Sequence, residues 1–208
     1  MNFILIRNAI ISTLGAGAGG QYRTIGYQRR SDDEKEIQDN SRAVQVYYST
    51  GNFDKRSGSI SGPMTHDMTF ALAMHVSQAA TVDLSTLTNP ALSNAARAAA
   101  WVAKLDAEYL ADRYMDALWN NVFQVIMKAT AYDFGLGFTV ANKWLDGFKK
   151  SEPVVDGQLV ILSATAALTC RIEETVTGDV GLPIDDLTMV FNLQQETDGT
   201  EGAGIKVL

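Results

Sequence analysis

Gly15, Gly17 and Gly20 spell G-x-G-x-x-G inside "TLGAGAGGQY", directly after the apolar run "FILIRNAII". In a dinucleotide-binding enzyme that spacing forms a tight turn between a strand and a helix, and the helix N-terminus faces a pyrophosphate. The chemistry then requires an amphipathic helix, and an acidic residue ending a second strand about twenty positions on. The next residues are instead "QYRTIGYQRRSDDEKE", a charged stretch without an apolar stripe. Upstream, Phe3, Ile6, Ile10 and Leu14 share one helical face with Arg7 and Asn8 elsewhere, so this segment reads as a helix ending in a glycine stop. The expectation is a helix followed by a mobile glycine loop at 15–20, its glycines supplying backbone freedom. A nucleotide-binding enzyme using Gly15–Gly20 is the minor alternative.

The other residues able to do chemistry are few. His66 and His75 are the two histidines, and neither belongs to an H-x-x-x-H ligand pair or to a Ser/His/Asp spacing. His66 sits on the apolar phase of a strand and reads as a hydrogen-bonded core or interface histidine. The single cysteine, Cys170, excludes an intramolecular disulfide and cannot anchor a metal by itself. Asp32, Asp33, Glu34 and Glu36 form an acidic run beside Arg29 and Arg30. Such a run is ordinarily solvated loop surface. Its sharper reading is a subunit contact through Arg29, Arg30, Asp32, Asp33 and Glu34, because opposite charges set the register of an interface. Trp101, Trp119 and Trp144 read as core or subunit packing rather than a cofactor box. No catalytic residue, cofactor or metal is expected.

The elements that would position these residues emerge from periodicity. The chain has 208 residues, 46% of them hydrophobic, and carries 24 acidic against 17 basic side chains for a net −7. That balance argues against gripping nucleic acid by bulk charge. No apolar run reaches the eighteen or so residues of a membrane span, and "MNFILIRNAII" lacks the features of a secretory signal, so a cytosol-made protein is expected. "AVQVYYST" alternates as a half-buried strand. From Met64 to Val76, Met64, His66, Met68, Phe70, Leu72, Met74 and Val76 share one face of a long strand whose partner is the strand from Val44. A helical region over about 94–150 opens at Ser93 or Asn94 as cap. Trp101, Leu105, Tyr109, Met115, Leu118, Trp119, Val122 and Ile126 recur along it, with Asp106, Glu108, Asp112, Arg113 and Asp116 outside. "TVANKWLDGFKK" adds a short helix, and "VVDGQLVILSATAALTCRIEETV" is a long regular strand with Val160, Leu162, Ala164, Ala166, Leu168, Cys170 and Ile172 inward. The fold class is α+β: a two-layer α/β sandwich with a mostly antiparallel sheet of long strands. The core spans 1–176, and 177–208 is a C-terminal arm whose "LTMVFNL" suits a sheet edge.

This order of elements resembles the tail terminator (tail completion) proteins of tailed bacteriophages, the family of the lambda-type minor tail protein U. The likeness rests on "LIRNAIISTL", "RAVQVYYST", "THDMTFALAMHVSQA", "AEYLADRYMDALWNNVFQVIM" and "QLVILSATAALTCRIEETV". The glycine loop, the 94–150 region and the arm exceed the compact form of the family. The resemblance implies a structural virion protein, not an enzyme: a homo-oligomeric ring, hexameric in that family, which caps the tail tube, ends its polymerisation and meets the head-side neck or connector protein. It would be assembled in the host cytoplasm and reside in the virion, with no membrane partner. A head-completion or tube protein is the nearest alternative. DNA would pass through the ring without specific binding, which favours a neutral to acidic lumen. Asp67, Glu173 and Glu174 are candidate lumen residues, with ordinary solvated sheet surface as their other reading.

Overall fold

The computed structural model describes residues 3–26, 41–53, 63–128, 133–136 and 140–175. Helix α1 (Phe3–Ala18) buries Ile6, Ile10, Leu14 and Ala18, a one-residue-wide stripe at four-residue steps. Each large aliphatic side chain so buried contributes about 1.5–3 kcal/mol. The sequence suggested a helix that stops before the glycines, and the structure differs. The helix runs through Gly15 and Gly17 and ends where Gly19 and Gly20 take φ of 54° and 81°. Those values are open to glycine and costly for residues with a Cβ. The 15–20 segment is therefore the last helical turn plus its stop.

Strands β1 (Arg23–Ile25), β2 (Arg42–Phe53) and β3 (Pro63–Ala79) come next. After helix α2 (Asn94–Met127) come β4 (Val140–Lys150), β5 (Val154–Asp156) and β6 (Leu159–Thr175). The sheet order is β1-β2-β3-β6-β4, with β5 also pairing β6. Among the described strands only β1 against β2 is parallel. Short β1 was not legible in the sequence. β3 and β6 are 17 residues each and pair without a register shift from Pro63↔Thr175 to Ala79↔Leu159, a ribbon about 55 Å long at 3.3–3.4 Å per residue. The expected phases hold: Val44 and Val46, His66 to Val76, and Val160 to Ile172 in alternate positions are buried against the helices. The molecule is a two-layer α+β sandwich with a mostly antiparallel sheet of long strands.

Three further expectations are corrected. The helical region does not extend over 94–150: α2 ends at Met127, and residues 140–150 are strand β4 rather than a short helix. Two bulges, between Val140 and Asn142 and between Asp146 and Lys149, disrupt the two-residue alternation. As a result Val140, Trp144, Leu145 and Phe148 imitate helical spacing. The long strand read from Val154 is a hairpin, β5 and β6, turned at Gly157 with φ 59°; glycine first in a two-residue loop matches the twist of the paired strands. Ala80 and Leu84 donate backbone hydrogen bonds to the Gln158 and Gly157 carbonyls, which ties the chain after β3 to this turn. A 3-10 turn at Leu84–Thr88 then leads to α2.

α2 carries the third correction. Ser93 caps it, its hydroxyl accepting from the Ala96 amide at 3.2 Å. Its buried face is Ala100, Ala103, Ala107, Ala111, Met115, Leu118, Val122 and Ile126. Trp101, Leu105 and Tyr109, read as core from their spacing, point outward. The alanines are what let the helix lie close to its neighbours, and the aromatics occupy the opposite face. Asp106, Asp112, Arg113 and Asp116 are exposed, as their charge requires.

Candidate functional site

The glycine motif sits at the wrong end of a helix for a phosphate. A helix C-terminus presents carbonyl oxygens and partial negative charge, whereas anion binding uses the amide donors of an N-terminus. Two local partners occupy it instead. The Gln21 amide donates to the Ala18 carbonyl at 2.9 Å. The Tyr22 hydroxyl lies 3.3 Å from the Leu14 carbonyl and 3.0 Å from Asn121 Oδ1 on α2, and its burial pushes the Tyr22 pKa up. Gly17 has a packing role: a Cβ there would drive into the Val125 side chain, coming within 2.7 Å of Cγ1. α1 and α2 meet at that contact.

Both helices pack on one face of the sheet. On the other face, short side chains and cross-strand polar pairs alternate. Asp67 accepts two hydrogen bonds from Arg171, at 2.8 and 2.9 Å; Thr69 and Thr169 hydroxyls are 3.0 Å apart; His75 Nδ1 lies 2.9 Å from Ser163 Oγ; and Ser41 and Ser77 hydroxyls are 3.0 Å apart. Between them lie Ala71, Ala73, Thr165 and Ala167. Such pairs satisfy one another across the ladder, so covering this face strips little unshared polarity of water. The surface can make broad contact. His75 and Ser163 set an imidazole against a hydroxyl on this face, the geometry of a base beside a nucleophile.

The sequence-derived candidates fall in different places. Arg29, Arg30, Asp32, Asp33 and Glu34 lie outside the described residues, as does the arm from 177 onward. Asp67 is on the free face, but its charge is engaged by Arg171, whose guanidinium also stands 6.0 Å from the Trp144 ring centroid. Glu173 is exposed and shares the strand phase of Arg171. Glu174 pairs with Met64 across the ladder. His66 is buried on the helix side of β3, apart from His75. Among the described residues no group of three His, Cys, Asp or Glu side chains could hold a metal ion, and no helix is long and apolar enough to cross a membrane.

Two lysine contacts of β4 were not anticipated. Lys143 of β4 is buried opposite Cys170 of β6, its Nζ 4.6 Å from the Phe134 ring centroid. Desolvation lowers the Lys143 pKa, opposed by the charge of Asp133. Burial pushes the Cys170 thiol up to about 12, so it stays protonated and unreactive. At the other end of β4, Lys150 reaches across to α2, 2.7 Å from Asp112 and 2.5 Å from Asp116. Desolvation alone would lower its pKa, yet the hydrogen bonds and charges of the two carboxylates raise it. The sequence placed these lysines on a short helix, and which of them turn inward depends on the strand and its bulges. No protein-family model matches the chain, and no curated protein matches it.

Proposed function

We propose that this chain is a non-catalytic structural subunit of a phage virion, a tail-terminator-like protein that closes into a ring, six-fold by its resemblance, on the end of the tail tube. There it ends tube polymerisation and joins the tail to the head-side neck, with DNA passing through its lumen. The observation that carries the reading is the one-sided sheet: 17-residue strands β3 and β6, helices on one face, and a free face of short, mutually paired side chains. A surface of that kind suits repeated subunit contact, since closed head-to-tail contacts generate rings. The family likeness supplies the position on the tail.

The test is the mass and symmetry of the purified full chain, by light scattering and negative-stain microscopy, followed by addition to tail tubes. A closed ring found at one end of the tubes is expected. A monomer at tens of micromolar that leaves tube length unchanged overturns the reading, and binding to capsid connectors alone assigns a head-completion role instead.

A further inference from the structure

The N-terminal half of α2 is apolar on two opposite faces. Ala100, Ala103 and Ala107 are buried, while Trp101, Val102, Leu105 and Tyr109 are 52%, 59%, 56% and 63% exposed. Such side chains scattered singly on a surface would be unremarked. Here they lie within two and a half helical turns on one face. Lys104 Nζ lies 4.8 Å from the Trp101 ring centroid and the Arg113 guanidinium 5.8 Å from that of Tyr109, so both aromatic faces are flanked by cations. A helix apolar on both sides is a helix with two partners. The sandwich supplies one.

We propose that the second partner is α2 of another copy of this chain, packed antiparallel about a two-fold axis near Leu105. The order of charge along one flank fits the antiparallel arrangement. The flank holding Arg97 and Lys104 continues through Glu108 to Asp112, basic first and then acidic. Antiparallel packing about Leu105 sets Trp101 against Tyr109 of the second copy, Arg97 beside its Asp112, and Lys104 beside its Glu108, each contact occurring twice. Parallel packing would set this flank against the opposite one, which carries Asp106 and Arg113, and the basic-to-acidic order would not meet itself. The existing Lys104–Glu108 pair, at 3.2 Å, becomes part of a four-charge ladder. Lys104 on this flank and Asp106 on the other each stand about 3 Å in axial height from their own counterparts, the two unfavourable contacts. With aromatic side chains of about 150–250 Å² each, the exposed parts of the four residues amount to on the order of 400–500 Å² per copy. Two copies with their flanking stems approach the roughly 1,200 Å² of the smaller specific interfaces. A micromolar dimer is expected. This contact is independent of the ring proposed above, and a two-fold contact joins two rings or two free subunits equally well.

Leu105→Cys and Asn94→Cys test the geometry, because buried Cys170 leaves the new thiol as the reactive one. A short bismaleimide should cross-link Leu105→Cys into a dimer and leave Asn94→Cys monomeric, whose counterparts stand about 33 Å apart at 1.5 Å per residue. Leu105→Glu should weaken self-association at least tenfold in analytical ultracentrifugation with unchanged helical circular dichroism, and Asp106→Asn should strengthen it at low salt. Cross-linking at both positions or at neither, or wild-type affinity in Leu105→Glu, overturns the proposal. A ring seen by microscopy without the Leu105→Cys cross-link sinks this contact and leaves the ring reading standing. A two-fold dimer that never closes into a ring does the reverse.

Discussion

At the scale of single residues, two glycines of one motif have opposite reasons to be there. A Cβ at Gly15 would meet Thr24 Oγ1 at an ordinary 3.6 Å, whereas one at Gly17 would collide with the β-branched Val125. Gly15→Ala should therefore stabilise the protein by about 0.5–1 kcal/mol, the helical gain of alanine over glycine. Gly17→Ala collects the same gain but must separate α1 from α2, an overpacking cost of about 1–3 kcal/mol, so a net loss is expected. Urea melts of the two variants decide it; equal shifts would show that Val125 moves aside freely. Cys170 presents a second test. With its thiol held up to about 12 and its side chain buried, it should ignore a maleimide at pH 8 for hours and react completely in denaturant. Rapid labelling of the native protein would place it at a surface.

At the scale of elements, β4 joins the sheet to α2 by two contacts of different kinds. Phe148 stacks on Trp119 with ring centroids 4.4 Å apart and planes 13° from parallel, while Lys150 bridges Asp112 and Asp116, both more than half exposed. Solvent-exposed ion pairs contribute about 0–1 kcal/mol. An aromatic pair adds about 0.5–1.5 kcal/mol beyond the area it buries. Phe148→Ala is thus expected to cost about 2 kcal/mol or more, and Lys150→Ala less than about 1 kcal/mol with a dependence on salt. Chemical denaturation at two ionic strengths checks both. A larger loss for Lys150→Ala at high salt would mean that the bridge, rather than the rings, docks this edge.

Across the whole molecule the shifted groups point to alkaline sensitivity. Cys170 is raised by burial, so it stabilises fully below its unfolded value of about 8.5–9 and loses that contribution as pH rises from there toward about 12. Tyr22, also raised by burial, acts in the same direction above its ordinary value of 10.0. Lys150, raised on balance by its two carboxylates, holds its contribution below 10.5 and loses it above. Lys143 has the opposite sign: its pKa is lowered by desolvation, so stability recovers as pH approaches 10.5 from below. Above about pH 8.5 Cys170 should pull stability down with a slope of at most about 1.4 kcal/mol per pH unit, Lys143 opposing it up to 10.5, and beyond that Tyr22 and Lys150 add to the fall. Cys170→Ala should flatten the first part of that fall. An unchanged slope between pH 9 and 10 in the variant would remove Cys170 as its source.

What the sequence by itself determined is whatever one element's own period encodes. The inward phases of β2, β3 and β6, the Ile6–Ile10–Leu14 stripe of α1, the Ser93 cap and the antiparallel pairing of β2 with β3 could all be read from residue types, because burial on one face writes an alternation directly into the chain. The tertiary structure decided whatever depends on a neighbour. Bulges erased the period of β4, and alanines proved to be the packed face of α2 because close helix–sheet approach rewards small side chains over large ones, leaving Trp101, Leu105 and Tyr109 outside. The same holds at the glycines: Gly17 is explained by Val125, 108 positions away in the chain, and no local pattern contains that contact. The free face of the sheet was legible as a polar phase, but that its Asp67, Thr69 and His75 meet Arg171, Thr169 and Ser163 is fixed only by the register of two strands roughly a hundred residues apart.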